Sequence, residues 1–202
     1  MNYKSHWENV YKTKNTQKVS WFQTVPQTSI NFLSEFNLSK ESNIIDVGGG
    51  DSLFVDYLVD NGYTNIFVLD ISEESLNRAK ERLRDKSKKV NWIASDITSF
   101  SSDIKFDYWH DRAVLHFLRQ KDQIQKYINN ASNCLNKGSF ITVGTFSESG
   151  PNKCSDLEVQ QYSEQSLSKI FEQSFKKIRC FEEVHITPSE AKQNFVFCSF
   201  KK

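Results

Sequence analysis

From residue 44 onward, short apolar runs alternate with longer stretches whose apolar positions recur every three to four residues. Residues 44–47 carry Ile44, Ile45 and Val47, β-branched and apolar as a strand buried on both faces requires. A helix is predicted over 52–61, stopping at Asn61-Gly62, a sequence suited to a left-handed cap. A strand follows over 65–70, then a helix over 73–85 opened by Ser72 with Glu73 and Glu74 behind it. Strands are predicted over 90–94 and 106–110, and a helix from Asp122 to Leu135 ended by Asn136-Lys137-Gly138. Strand 139–146 then runs into a loop holding Gly150-Pro151 and Cys154, and Ser163 to Phe171 is a further helix.

The tail breaks this alternation. Residues 177–187 and 194–200 both have strand character, with only Pro188 to Gln193 between them. That link is too short for a parallel crossover, so the two strands pair antiparallel. The fold class expected is α/β: a doubly wound, mainly parallel sheet with helices on both sides, closed by an antiparallel hairpin.

Residues 1–40 precede the first strand and are rich in aromatics: Tyr3, Trp7, Tyr11, Trp21, Phe22, Phe32 and Phe36. His6 to Tyr11 reads as a short helix, and Thr24 or Thr28 as the cap of another running to Phe36. Trp7 and Tyr11, at helical spacing, are expected in the core. Val19 to Gln23 is an apolar loop that either packs on the core or serves as a lid. No repeat or low-complexity tract divides the chain, and residues 1–202 are expected to form one domain, with 1–40 as a helical lid segment and 41–202 as the core.

Charge and cysteine content narrow the partners. Lys plus Arg number 26 and Asp plus Glu 25, so no basic surplus points to nucleic acid. The run Lys86 to Lys89 reads as a solvated helix end. Cys134, Cys154, Cys180 and Cys198 are widely spaced without a C-x-x-C pair, which fits a reducing cytoplasm better than a disulfide framework or zinc site, and no metal is expected. The first residues have no apolar leader segment, and no run reaches membrane-spanning length. A cytoplasmic protein is expected.

Candidate chemistry centres on Asp46-Val47-Gly48-Gly49-Gly50, where three of the chain's seven glycines stand together between strand and helix. A dinucleotide fingerprint from Gly48 would need glycine where the chain has Leu53; the pattern present is Asp-x-Gly-x-Gly. Asp70 ends the second strand, 24 residues after Asp46, where an acid accepts from ribose hydroxyls. This arrangement resembles the class I, seven-stranded S-adenosylmethionine-dependent methyltransferases. The resemblance implies S-adenosylmethionine at Gly48, Gly49 and Gly50, with Asp46 supporting the turn or the cofactor's ammonium. It implies Asp70 on the ribose, Ile71 against the adenine, and Asp96 and Ile97 near the adenine amino group. For Asp96 a turn cap is the alternative. Trp21 is a candidate lid contact to the same ligand.

The fourth strand continues as Trp109-His110-Asp111-Arg112-Ala113-Val114-Leu115-His116-Phe117-Leu118. This segment is similar to that of a group of small bacterial methyltransferases, which the chain also resembles at His6-Trp7, Val19 to Gln23, Gly150 to Tyr162 and Glu183 to Pro188. Charges at a central strand end need partners. Asp111 and Arg112 form an internal ion pair, or they face the transfer site, with Asp111 near the cofactor and Arg112 as a fork for a carboxylate. His110 and His116 are candidate general bases. Cys154 is expected to be a buried, inert thiol. The segment N-P-P-[YFW] of adenine- and amide-methylating relatives is absent. The function expected is methyl transfer to a small molecule by in-line displacement. Rivals are methylation of a protein lysine side chain and a non-catalytic, regulatory nucleotide-binding role. Leu53 and the tail hairpin count against an NAD-dependent oxidoreductase.

Overall fold

In the computed structural model, which describes residues 2–202, seven strands form one sheet in the order β3-β2-β1-β4-β5-β9-β8. The strands are β1 (Asn43–Val47), β2 (Asn65–Asp70), β3 (Val90–Ala94), β4 (Phe106–Arg112), β5 (Leu135–Phe146), β8 (Lys176–Ile186) and β9 (Lys192–Lys201). A separate two-residue ladder joins β6 (Lys153–Cys154) to β7 (Leu157–Glu158). Pairing is parallel from β3 through β5, and β9 runs antiparallel to both β5 and β8. The order reverses at β1, placing the loops after β1 and β4 on either side of the crevice where open α/β sheets bind ligands.

Successive residues of each strand feed opposite faces. Ile44, Ile66, Val68 and Tyr108 pack with α2 (Gln27–Glu35), α3 (Phe54–Asp60) and α4 (Glu73–Leu83). Ile45, Val47, Phe67 and Trp109 pack with α5 (Lys121–Cys134) and α6 (Glu164–Phe171) on the other face. The N-terminal helix α1 (Tyr3–Thr13) lies against α4: Glu8 accepts from the backbone N–H groups of Glu73 and Glu74, so a side chain from α1 caps α4 alongside Ser72. Free donors of a first helical turn attract such a carboxylate. No helix among the described residues is long and apolar enough to cross a membrane.

Several expectations are corrected. Asn136-Lys137-Gly138 do not end α5 as a loop; the chain passes directly from Cys134 into β5, whose first residues sit beside a register shift between Phe106 and Tyr108. Strand β4 extends to Arg112 rather than stopping at 110, because Asp111 and Arg112 pair with Val143 and Gly144. Helix α3 begins at Phe54, with Ser52 Oγ accepting from its N–H, and α4 ends at Leu83. Neither Thr24 nor Thr28 caps α2; Pro26 precedes it, and the Thr28 hydroxyl donates to Glu183. The cysteines are not all free: Cys180 and Cys198 are direct cross-strand partners and form a disulfide, while Cys134 and Cys154 are buried thiols. Antiparallel register brings the Cα atoms to 4.1 Å, a proximity that spacing along the chain does not reveal.

Candidate active site

One cavity lies at the carboxyl ends of β1, β2, β3 and β4, beneath the N-terminal segment. Its floor is the glycine turn. Gly48 has φ +67°, and a Cβ there would fall 1.9 Å from Val114 Cγ2, so only glycine fits. The Gly48 N–H donates to the Leu69 carbonyl at 2.6 Å, so peptide donors for a ligand come from further along the turn. Gly49 packs over the Asp46 carboxylate, whose Oδ2 is buried without a partner. Gly48 and Gly49 line the cavity; Gly50 is covered by the Tyr11 phenol.

Asp70 and Ile71 line the cavity at the end of β2. The Asp70 carboxylate accepts from the Ser72 N–H at 2.8 Å. Burial raises its carboxyl to about 7, against the bonds from Ser72 and Ser75, with Asp51 and Asp46 adding repulsion. Asp96 and Ile97 line the cavity after β3. Asp96 is exposed and its Oδ1 caps the turn, accepting from the N–H and hydroxyl of Thr98 at 2.8 Å each.

On β4, alternation separates residues that the sequence reads as one cluster. His110 and Arg112 point into the cavity. His110 is clamped at both ring nitrogens, Nδ1 2.6 Å from Asp46 Oδ1 and Nε2 2.8 Å from Ser29 Oγ. Asp111, between them, points to the opposite face and does not line the cavity. Its oxygens accept from Val114 N–H (2.8 Å), Leu115 N–H (3.2 Å) and the Tyr127 hydroxyl (2.7 Å), which fixes the turn after β4. Burial pushes its carboxyl up to about 6 despite those donors. Asp111 therefore neither pairs with Arg112 nor lines the cavity.

Arg112 donates Nη1–H to the Trp21 carbonyl (3.1 Å) and lies over the Phe195 ring at 4.8 Å, while Nη2 is buried with no partner. Burial lowers its pKa to about 10, with Glu183 the largest opposing charge. His116 is fully buried outside the cavity, its Nδ1 accepting from the Phe146 N–H, and burial lowers its pKa to about 3. It therefore stays neutral. Cys154 lines the cavity as a thiol raised to about 12 by burial.

The N-terminal segment forms the roof. Trp21 reaches the cavity with Trp7 and Tyr11, the ring centroids 5.7 and 6.4 Å away, so the two residues expected in the core also face ligand space. Thr16 donates to Asp51 (2.5 Å), and Arg78 donates to Thr16 and the Lys14 carbonyl (3.0 Å each), tying the roof to the turn and to α4. Sequence reasoning missed Ser29 and Asp51 as cavity residues. For Asp51, adjacency to the glycine turn was an available signal; for Ser29 on the buried face of α2 there was none.

Residues 45–141 match the methyltransferase domain family. Nodulation protein S of Rhizobium tropici is 25% identical over 104 residues, 52% of this chain and 43% of that protein, so the match spans less than half of the relative's length. Among solved structures, the N-methyltransferase NodS of Bradyrhizobium japonicum WM9, in complex with S-adenosyl-L-homocysteine, superposes with TM-score 0.74 at 18% identity, covering 98% of both chains. The 1,6-didemethyltoxoflavin-N1-methyltransferase of Burkholderia thailandensis superposes with TM-score 0.76 at 14% identity over 98% of this chain and 86% of that one. With the glycine turn, the strand order and the tail hairpin in place, residues 45–141 match a methyltransferase domain and the chain shares the fold of these solved methyltransferases.

Proposed function

We propose that the protein is an S-adenosylmethionine-dependent methyltransferase acting on a small molecule that carries an anionic group. The cavity's residues fit the cofactor. Asp70, lining the cavity at the end of β2, would accept from ribose hydroxyls, the buried and unpartnered Asp46 Oδ2 suits an ammonium, and the bare glycine backbone admits close approach. Ile71 and Ile97 offer apolar surface for the base, and Trp21 covers the cavity from above. When bound, the sulfonium supplies a methyl carbon with a good leaving group already attached, so an acceptor in line with that bond needs positioning and exclusion of water above all. The roof of Trp7, Tyr11 and Trp21 supports the second.

Arg112 carries the choice of acceptor. A cavity-facing guanidinium with one buried, unpartnered nitrogen and no ion pair favours a carboxylate or similar anion and disfavours a lysine ammonium. Sheet order sets Asp70 and Arg112 on opposite sides of the glycine turn, since β1 lies between β2 and β4. That one solved structure of the same fold is an N-methyltransferase and another a 1,6-didemethyltoxoflavin-N1-methyltransferase supports methyl transfer to a small molecule.

The protein would be incubated with methyl-labelled cofactor and, separately, with a metabolite extract and with denatured lysate. Label in an anionic small molecule is the expected result. Label confined to protein would overturn the small-acceptor assignment, and failure of the folded protein to bind S-adenosylhomocysteine would overturn the whole.

A further inference from the structure

Resting on that reading, we infer that Ser29, His110 and Asp46 form a proton relay that takes a proton from the acceptor, with Ser29 as the contacting group and the acceptor an N–H or O–H nucleophile. Three elements that are remote in sequence build the chain of contacts. Strand register puts Asp46 of β1 opposite His110 of β4, and α2 presents Ser29 to the far side of the ring. The two contacts are 2.6 and 2.8 Å, and all three residues line the cavity while none is more than 4% exposed.

The polarity of the relay follows from its last member. A carboxylate at Asp46 Oδ1 only accepts, so Nδ1 carries the imidazole proton. In the neutral ring Nε2 is then an acceptor, and the Ser29 hydroxyl donates to it. That leaves the Ser29 lone pairs for a donor in the cavity. During transfer the bond from the acceptor atom to the methyl carbon forms and the carbon–sulfur bond breaks, its electron pair remaining on sulfur. The acceptor's proton passes to Ser29 Oγ as the serine proton passes to His110 Nε2. The imidazolium so formed is paired with Asp46, and it returns its proton to solvent after product leaves. His110 and Asp46 act through Ser29 and are positioning residues. The alternative use of the same contacts is a permanent ion pair, in which His110 holds both protons, Ser29 accepts from Nε2–H and nothing can be taken up.

Nitrogen-15 spectra of the imidazole rings separate the two states without any acceptor. At pH 7.5 the relay requires His110 to be neutral with the proton on Nδ1, and Ser29→Ala should shift the Nε2 resonance. His110→Gln assigns the ring among the four histidines, and if that variant does not fold, the Ser29→Ala perturbation assigns it. A doubly protonated His110, or a proton on Nε2 alone, overturns the proposal. In the labelled-methyl assay, Ser29→Ala should lower turnover about 10²- to 10⁴-fold, the range for a positioned base, with KM values little changed, and Ser29→Thr should restore most of it. The groups against this imidazole are Asp46 from β1, Tyr108 from β4 and Ser29 from α2, with Phe54 from α3 closing the side, and the Asp111 carboxylate acts on it from the opposite face of β4. Equal turnover in Ser29→Ala, in a protein that binds S-adenosylhomocysteine, sinks the relay alone; absent binding in the wild type sinks the underlying function instead.

Discussion

His110 and Asp46 are direct partners in the β1–β4 register, and their side chains meet at 2.6 Å with neither more than 4% exposed. The pair joins two central strands beneath the ligand cavity. Removing the imidazole leaves a buried carboxylate with no donor in its place. His110→Ala should therefore destabilise the fold by about 3–5 kcal/mol, the range for leaving a buried charge without its partner. Urea denaturation measures it; a loss below about 1 kcal/mol would mean that water already solvates Asp46 in the native state.

On the proposed reading, Asp70 links cofactor affinity to pH. Its carboxyl is raised by burial to about 7, whereas an unfolded chain gives about 3.9. The native state thus holds a proton that the unfolded state has lost between those values, and stability falls as pH rises through that window. Ribose hydroxyls need the ionised acceptor, so affinity for S-adenosylhomocysteine should rise about tenfold per unit below pH 7 and level off above it. Calorimetry in buffers of different ionisation enthalpy should show one proton released on binding at pH 6 and little at pH 8.5.

Asp70→Ala should weaken binding of the same ligand by about 1–3 kcal/mol, the scale for losing hydrogen bonds to a charged acceptor. Asp70→Asn should make the free protein more stable at pH 8 than the wild type, with a smaller gain at pH 5, because the buried charge is gone. Thermal melts at the two pH values check it. Unchanged affinity in a folded Asp70→Ala variant would remove this residue from the site.

Gly48 and Val114 are coupled by contact. Gly48→Ala adds a Cβ within 1.9 Å of Val114 Cγ2 and places a side chain at φ +67°, which alone costs about 1–2 kcal/mol. The double change Gly48→Ala, Val114→Ala should recover the clash but not the backbone cost. A double-mutant cycle by urea denaturation should give a coupling energy of about 0.5–3 kcal/mol, and additive effects would contradict the contact.

Arg112→Met should leave the affinity for S-adenosylhomocysteine nearly unchanged and cost about 2–5 kcal/mol in transition-state stabilisation for an anionic acceptor, read from kcat/KM. Arg112→Lys should not restore it, because an ammonium lacks the planar fork that stacks on Phe195 and reaches Trp21.

Local chemistry was enough to make much of this protein legible in its sequence. Periodicity and turn residues are properties of neighbours along the chain, so the strand–helix alternation, the glycine turn after β1, the acid ending β2 and the antiparallel tail could all be read directly. Element ends were less legible: pairing with β5 carried β4 through Asp111 and Arg112, although local pattern ended it at residue 110. Contacts between remote segments had no signature in spacing. Pleating turned Asp111 toward Tyr127 and Arg112 into the cavity, the antiparallel register joined Cys180 to Cys198, and helix packing brought Ser29 to His110. The aromatics of the first forty residues declared themselves apolar, but only their docking over the crevice made Trp7 and Tyr11 part of a roof, since burial against a core and burial against a ligand demand the same side chains.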